Sequence, residues 1–304
     1  MKILFNKENV GTGELQEILG FTDADMTISD LWPYLRTASR EVYEIIGKDN
    51  YEICETVGSS EVAVAEENQE LYDLVRYAIA FNAFRKYAPL NDIAFTNEGR
   101  LFRRDEHTVA AFEWQIDKSN DEMERRYYEA VDEIITFILD SEELETSDFM
   151  TEFSGLYVPN LKTFQRFVNI NNSHLLFFKL APSLRLCEQR EIINRMGDKF
   201  ADYKTKEKKD HYITNLIQNC CVYFAMMDGI QKFSVQLFPE GLMKAEKPNK
   251  KAASGYDKES MTMYYRGQLE KLLKDLETEI QKLKPVYTTP PQIKFCPDDG
   301  YVSL

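Results

Sequence analysis

One short pattern occurs twice in the chain, as Leu31-Trp32-Pro33-Tyr34-Leu35-Arg36 and as Leu180-Ala181-Pro182-Ser183-Leu184-Arg185. Leucine, proline, leucine and arginine hold the same positions in both stretches. Each is followed by a helical pattern that runs to a glycine, Gly47 in the first case and Gly197 in the second. A proline followed by a periodic apolar pattern and a closing glycine is typical of one helix from its first turn to its end.

Three more landmarks recur in the same order after each glycine. They are an apolar segment, a short β-like stretch closed by Glu-Gly, and a long helical pattern with two adjacent tyrosines. The offset between copies is 149 residues at the prolines, 142 at the Glu-Gly pairs and 137 at the tyrosines. Length changes in surface loops account for such drift. We therefore predict an internal duplication, marked by Tyr72–Tyr87 and Tyr212–Phe233, Glu98-Gly99 and Glu240-Gly241, and Tyr127-Tyr128 and Tyr264-Tyr265.

The composition is that of a soluble globular protein. The 304 residues suffice for two domains, 43% of them are hydrophobic, and the formal net charge is −14. Nucleic-acid-binding proteins usually carry a basic face, so this balance argues against nucleic acid as a partner. It also disfavours contact with anionic membranes.

Targeting and redox signals are weak. The first apolar run ends at Asn6, too early for the core of a signal peptide, and the longest run, Cys220–Met227, has eight residues where a membrane span needs roughly 20. The five cysteines have no C-x-x-C spacing. We expect free, mostly buried thiols in a cytoplasmic protein, or in a virion if the chain is phage-borne.

Helical periodicity supports the repeat. An apolar stripe predicts a helix over about 30–46 with Pro33 in its first turn, and the repeat favours a helix starting near Leu180 with Pro182 in its first turn. The alternative is one helix from His174 to Met196, kinked at Pro182. The stripe of the first helix consists of Leu31, Leu35, Ala38, Val42, Ile45 and Ile46.

The fold class follows from these elements. Helices over 67–87 and 211–233 are apolar on most faces and belong at the centre of a bundle. A β-hairpin around each Glu-Gly and a closing long helix complete each unit. We predict a mainly α protein of two tandem related helical-bundle units, 1–145 and 146–304, each with a small β-hairpin before its last long helix. A short strand is expected at Lys2–Phe5.

No residue pattern indicates a reaction or a cofactor. The histidines, His107, His174 and His211, lie outside every recognised catalytic frame, so helix-end roles are the expected ones. Cys187 and Cys220-Cys221 fall in apolar helical patterns typical of a core. The acidic pairs and Gly11-Thr12-Gly13 lack the spacing of metal or phosphate sites. We predict no catalytic, metal or cofactor residues.

Cations gather at the same place in both copies. Each cluster follows, or lies at the end of, a β-like stretch, and the candidate protein-contact residues are Arg100, Arg103, Arg104, Lys244, Lys247, Lys250 and Lys251. A solvated loop that keeps a strand edge from pairing explains them without a partner. The sharper hypothesis is a contact with an acidic protein surface, such as another copy of this acidic chain.

The stretch from Tyr77 to Tyr128 carries a resemblance. Its motifs are Phe81-Asn82-Ala83-Phe84, Thr96-Asn97-Glu98-Gly99, Arg103-Arg104, Ala111-Phe112-Glu113-Trp114-Gln115 and Arg125-Arg126-Tyr127-Tyr128-Glu129-Ala130. They resemble an uncharacterised protein family of Bacteroides phages and prophages, encoded among virion structural genes. The arrangement of a helical bundle, a small hairpin and a long helix is also similar to that of phage head–tail connector (adaptor) proteins. This resemblance implies no catalytic residues.

These features lead to one function and two alternatives. We expect a non-enzymatic structural protein of a phage or prophage, a head–tail connector or adaptor. Its partners would be other proteins, namely itself, a portal or tail components, and not a small molecule. The alternatives are a cytoplasmic bacterial interaction protein of unknown role and an enzyme without a recognisable motif.

Overall fold

The structure is a computed structural model that describes residues 1–7, 13–22, 27–59, 64–96, 99–102, 112–208, 211–233, 235–238, 241–244 and 255–283. For the strand residues 93–96, 99–102, 235–238 and 241–244 only the backbone is described. The helices are α1 (Gly13–Leu19), α2 (Ile28–Ile46), α3 (Lys48–Ser59), α4 (Glu66–Asn91), α5 (Glu113–Asp140), α6 (Asp148–Thr151), α7 (Leu161–Phe164), α8 (His174–Cys187), α9 (Ile193–Met196), α10 (Tyr212–Lys232) and α11 (Gly255–Lys282). A π-helix (Glu188–Ile192) and two 3₁₀ segments (Gly197–Tyr203, Lys206–Lys208) complete the helical set.

The first unit is built around α4. Residues 78–83 of this helix are all buried, so it is covered on every side there. On one side α2 packs against it with an apolar stripe that includes Leu31, Leu35 and Val42, each at most 1% exposed. On another side α5 packs antiparallel to it with Val131, Ile134 and Ile138. Burying each such aliphatic side chain stabilises the fold by about 1.5–3 kcal/mol.

The second unit repeats this arrangement. Here α10 is the central helix, with buried residues from Ile213 to Gly229, and it packs against α8 and α11. Leu269, Leu273 and Leu276 of α11 lie at three- and four-residue spacing on the buried face. The order of helix, glycine, short helical segment, central helix, strand pair and long helix is the same in both units.

Both repeat glycines have backbone conformations that favour glycine. Gly47 (φ +85°) separates α2 from α3, and Gly197 (φ +55°) follows α9. L-residues rarely adopt a positive φ with an extended ψ, which explains why this landmark recurs. A Cβ on Gly47 would also lie 2.9 Å from the Cβ of Ser147, whereas nothing lies within 4 Å of the equivalent position on Gly197.

The predicted fold class is wrong in making a β-hairpin a regular building block of each unit. The fold is mainly helical, and every core residue whose side chain is described lies on a helix, on a loop between helices or in the segment before α1. Strand geometry is confined to two isolated antiparallel pairs, β1 (Ile93–Thr96) with β2 (Gly99–Phe102) and β3 (Val235–Phe238) with β4 (Gly241–Lys244). Pairs this short are marginal by themselves, so the helices determine the architecture.

The preferred start of the second repeat helix is also wrong. Helix α8 begins at His174, where Ser173 caps it by accepting a hydrogen bond from the N–H of Leu176 (3.2 Å), and Pro182 lies inside the helix. The π-helix and α9 continue it to Met196, so helical structure runs from His174 to Met196, as the rejected alternative had it. In the first unit, Pro33 likewise lies in the second turn of α2 rather than the first.

One local expectation at the N-terminal side is also wrong, and one helix there has no counterpart among the predicted elements. Residues Lys2–Phe5 form no strand; Leu4 and Phe5 are buried as a loop, and the Lys2 carbonyl accepts a hydrogen bond from the Tyr51 hydroxyl (2.8 Å). Helix α3 was not predicted. Its buried residues, Tyr51, Cys54 and Val57, repeat every third position over a short span. A glycine after a helix is more often followed by a loop, so this short pattern after Gly47 is a weak signal for a helix.

The two units share one core. Asp132 of α5 accepts a hydrogen bond from the N–H of Leu175 at the start of α8 (2.9 Å). The Ser147 hydroxyl donates to the Ile45 carbonyl (2.6 Å), and α5 of the first unit packs against α8 of the second. The buried apolar residues from Leu4 to Ile280 form a single cluster. The boundary near Glu145 therefore stays a prediction of where one repeat ends and the next begins.

The two glycines give a matched test. We expect Gly47→Ala to destabilise the protein more than Gly197→Ala, because both strain the backbone by about 1–3 kcal/mol but only the first adds a clash with Ser147. Urea unfolding monitored by circular dichroism measures the difference. Equal losses of stability would contradict the close contact between Gly47 and Ser147.

Candidate protein-interaction surface

The cations singled out in the sequence lie mostly outside the described residues. Arg100 and Lys244 have described backbones, on β2 opposite Phe95 and on β4 opposite Val235. The others, Arg103, Arg104, Lys247, Lys250 and Lys251, fall outside the described ranges. A contact role for these seven cations therefore stays a prediction.

Beside the first cluster, apolar side chains are exposed. We call this region the α4–α5 end, where α4 finishes and α5 begins. Leu90 is 51% exposed, Phe112 67% and Trp114 57%. Phe112 precedes the first turn of α5, where its N–H donates to Gln115 Oε1 (3.0 Å) and its ring is exposed.

The second unit has the same feature at the α10–α11 end. Phe233 follows α10 and is 42% exposed, and Tyr256, Met263 and Tyr264 near the start of α11 are between 52% and 80% exposed. Single exposed apolar residues need no explanation. Large apolar and aromatic side chains collected at equivalent ends of two units are instead typical of protein interfaces, where tryptophan and tyrosine contribute most binding energy.

A polar network ties the α4–α5 end to α2. Buried Asn82 of α4 donates to Glu41 Oε2 of α2 (2.7 Å), and Lys86, one turn further along α4, forms an ion pair with the same carboxylate. Arg85 donates to Asn82 Oδ1 (3.0 Å), and its guanidinium lies 4.7 Å from the centre of the Tyr127 ring. The last turns of α4 are therefore fixed against both neighbouring helices.

This network lowers the pKa of Glu41. Burial acts to raise that pKa, but the hydrogen bonds from Lys86 and Asn82, together with the charges of Lys86 and Arg85, outweigh it. The pKa of Glu41 consequently lies below its ordinary value of 4.5. The carboxylate is charged at neutral pH and holds both α4 donors.

A polar contact between a flanking helix and the central helix also occurs in the second unit, where the acid belongs to the central helix. Asp228 of α10 accepts a hydrogen bond from the Ser183 hydroxyl of α8 and forms an ion pair with Lys232 one turn later. The pairs Asn82 with Lys86 and Asp228 with Lys232 have the same four-residue spacing on their central helices. The acid lies on the flanking helix in one unit and on the central helix in the other.

Four of the five cysteines and two of the three histidines are among the described residues, and these lie where the sequence predicted. Cys54, Cys187, Cys220 and Cys221 are free and buried, and burial raises the pKa of Cys54 to about 12. Thiols with raised pKa values are poor nucleophiles at neutral pH. His211 caps α10 by accepting a hydrogen bond from the N–H of Ile213 (3.2 Å). His174 begins α8, and burial lowers its pKa below 6.5.

Family comparison supports the repeat. The family described as "Family of unknown function (DUF6712)" matches residues 42–150 and again 184–296. The chain belongs to this family. The two DUF6712 matches begin 142 residues apart, at 42 and 184, within the range of offsets between the sequence landmarks. The double match thus supports the predicted internal duplication.

The other comparisons add no relative. No curated protein and no solved structure matches the chain. The description of DUF6712 assigns no function, so the phage resemblance gains nothing from it. In the described ranges, no helix has the length and apolar character needed to cross a membrane.

The pKa of Glu41 leads to a pH-dependent prediction. A carboxylate whose pKa is lower in the folded than in the unfolded protein stabilises the fold above the unfolded pKa, and this contribution disappears as the pH falls through the folded pKa. We expect Glu41→Gln to be less stable than the wild type at pH 7. The difference should shrink toward zero below a pH of about 4.

Thermal melts from pH 3 to 8 (about one-unit steps) would measure this difference. The control is Glu44→Gln, which removes an exposed pair with Arg40 (3.4 Å, 65% of the Glu44 side chain exposed) and should have almost no effect. A stability gap that is constant from pH 3 to 8 would contradict an electrostatic role for Glu41.

Proposed function

We propose that the chain is a structural subunit of a phage or prophage particle, a head–tail connector or adaptor, that acts by binding other protein subunits. One observation carries the assembly role. Both units expose large apolar and aromatic side chains at the same end, where the central helix finishes and the last helix begins: Leu90, Phe112 and Trp114 in the first unit, and Phe233, Tyr256, Met263 and Tyr264 in the second.

The physical reason is the cost of exposed aromatic surface. Each of these side chains would gain about 25 cal/mol for every Å² of apolar surface removed from water, and an interface removes it. Trp114 and Tyr264 offer large rigid surfaces with a polar group at the edge, so little side-chain entropy is lost on binding. The polar network of Glu41, Asn82 and Lys86 keeps one of these ends in a fixed geometry.

The particle itself is supported by the sequence resemblance to phage structural proteins. A connector must bind more than one subunit at once, and a duplicated chain presents two related ends for that purpose. The acidic balance of −14 suits contacts with proteins better than contacts with DNA.

The test is incorporation into particles. We expect the wild-type chain to cofractionate with particles induced from the strain that encodes it. Phe112→Ser with Trp114→Ser should reduce incorporation more than tenfold, because the substitutions remove two exposed rings while leaving the described core intact. Quantitative mass spectrometry of gradient fractions measures the amount.

The matched control replaces exposed apolar residues elsewhere. Leu139→Ser with Ile193→Ser changes side chains that are 41% and 39% exposed but lie away from both ends, and it should be incorporated like the wild type. A wild-type chain absent from purified particles would contradict the particle role. Equal losses for both double variants would contradict the role of the α4–α5 end.

A further inference from the structure

We infer that the first unit carries a binding trough for a basic segment, and that its occupant is Arg100–Arg104 of a second copy of the chain. The inference rests on the proposed function, since both require subunits to bind one another. It adds the receptor surface, the ligand chemistry and the direction of assembly.

The acidic trough consists of two adjoining cavities that share Val64, at the end of the unit where α4 begins. One has a volume of about 560 Å³ and the other about 790 Å³. Among their described lining residues are eight carboxylates and no lysine or arginine. The first cavity contributes Asp49, Glu52, Glu143 and Glu145, and the second Glu66, Glu70, Asp73 and Glu133.

The carboxylates of the second cavity are available. All four are exposed, and none forms an ion pair with another described residue. Asp73 only accepts hydrogen bonds from the Gln69 amide one turn earlier (3.1 and 3.2 Å). Arg126, which lies beside Tyr77 of the cavity lining, pairs with Glu122 (3.1 Å). The four charges repel one another, and a cationic ligand would relieve that repulsion.

The floor of the trough is apolar. Leu74 and Tyr77 of α4 are half-buried and line the second cavity, and Ile53 and Val57 of α3 line the first. A ligand that fits must therefore carry positive charge and apolar groups close together. A simple metal ion would satisfy the rim but leave this floor in contact with water.

A buried acceptor also points to a hydrogen-bond donor. Asn50 lines the first cavity and is 1% exposed. Its amide donates to the carbonyls of Ile46 (2.9 Å) and Glu145 (2.7 Å), whereas its Oδ1 has no partner among the described residues. A buried acceptor left unpaired costs about 1–3 kcal/mol, so a donor from a ligand would stabilise the site.

The sequence contains a segment with this chemistry. Arg100-Leu101-Phe102-Arg103-Arg104 places three guanidinium groups around two apolar side chains. Guanidinium presents five donors in a planar fork that matches carboxylates, and it keeps its charge at every relevant pH. Leucine and phenylalanine suit a floor of Leu74 and Tyr77.

The geometry of α4 makes a second copy the source of this segment. The trough lies along the first half of α4, from Glu66 to Tyr77, whereas Arg100–Arg104 follows the opposite end. A helix of 26 residues is about 39 Å long, and β2, whose backbone includes Arg100, follows the end of α4 opposite to the trough. Binding between copies is then head to tail, and such contacts produce closed rings or open filaments.

Full-length variants with complementary charges test the inference. Glu70→Lys with Asp73→Lys reverses the trough, and Arg103→Glu with Arg104→Glu reverses the segment. We expect the wild type to associate at about 0.05 M salt and to dissociate at about 0.5 M, and each reversed variant to associate at least tenfold more weakly alone. Sedimentation velocity over a concentration series measures the association.

Mixing the two reversed proteins is the decisive arm. One retains a native segment and the other a native trough, so we expect the mixture to recover association that neither shows alone. The control, Glu17→Lys with Glu270→Lys, makes the same charge change at exposed positions outside the trough and should bind within about twofold of the wild type. Thermal melts confirm that each variant is folded.

Three outcomes would overturn the inference: a monomeric wild type at both salt concentrations, unchanged association in the trough variant, or a control as weak as the trough variant. Loss of association in the trough variant but not in the arginine variant would overturn the assignment of Arg100–Arg104. The proposed function fails separately, if the wild-type chain is absent from particles.

Discussion

The structure depends on covering two central helices, α4 and α10, whose middle parts are largely apolar. Residues 78–83 of α4 are all buried, and ten residues of α10 between Ile213 and Gly229 are buried. Neither helix can be stable in water alone, because each needs partners on at least two sides. The flanking helices supply them, α2 and α5 in the first unit and α8 and α11 in the second. Contacts at Asp132 and Ser147 then join both assemblies into one core.

The parts of the fold that could be predicted are those set by local periodicity and repeated in both copies. The central helices are apolar over long spans, and the two glycines with positive φ recur in register. The parts that could not be predicted depend on distant contacts. Glu188, at the start of the π-helix, accepts a hydrogen bond from the N–H of Tyr157 (2.5 Å) and pairs with Lys204 (2.9 Å). Nothing near Pro182 in the sequence reveals that helical structure continues past it through this segment.

The candidate surfaces also include one part that the sequence could predict and another that it could not. The cation clusters could be predicted, because the positions of charged residues are read directly from the sequence. It did not show that Phe112 and Trp114 are exposed, because an apolar residue at a helix start looks like one inside the helix. The acidic trough was also missed. Its carboxylates come from α3, α4, α5 and the loop after α5, and only the packing of these elements brings them to one surface.

Duplication followed by divergence explains how one fold carries two different surfaces. Each unit has a polar contact between a flanking helix and the central helix, but the acid is Glu41 on the flanking helix in the first unit and Asp228 on the central helix in the second. Each unit therefore keeps its helix register by a different pair. The acidic trough lies in the first unit, where Glu66, Glu70 and Asp73 lie along the first turns of α4. The first turn of α10 has the uncharged residues Tyr212, Ile213 and Thr214 instead.

Hydrogen exchange measured by mass spectrometry tests most directly whether two repeats share one core. The account predicts that amides in 75–83 of α4 and 216–225 of α10 exchange most slowly of all, at one common rate that follows global unfolding. Slow exchange in one central helix together with much faster exchange in the other would show that the units unfold independently, and would contradict the account.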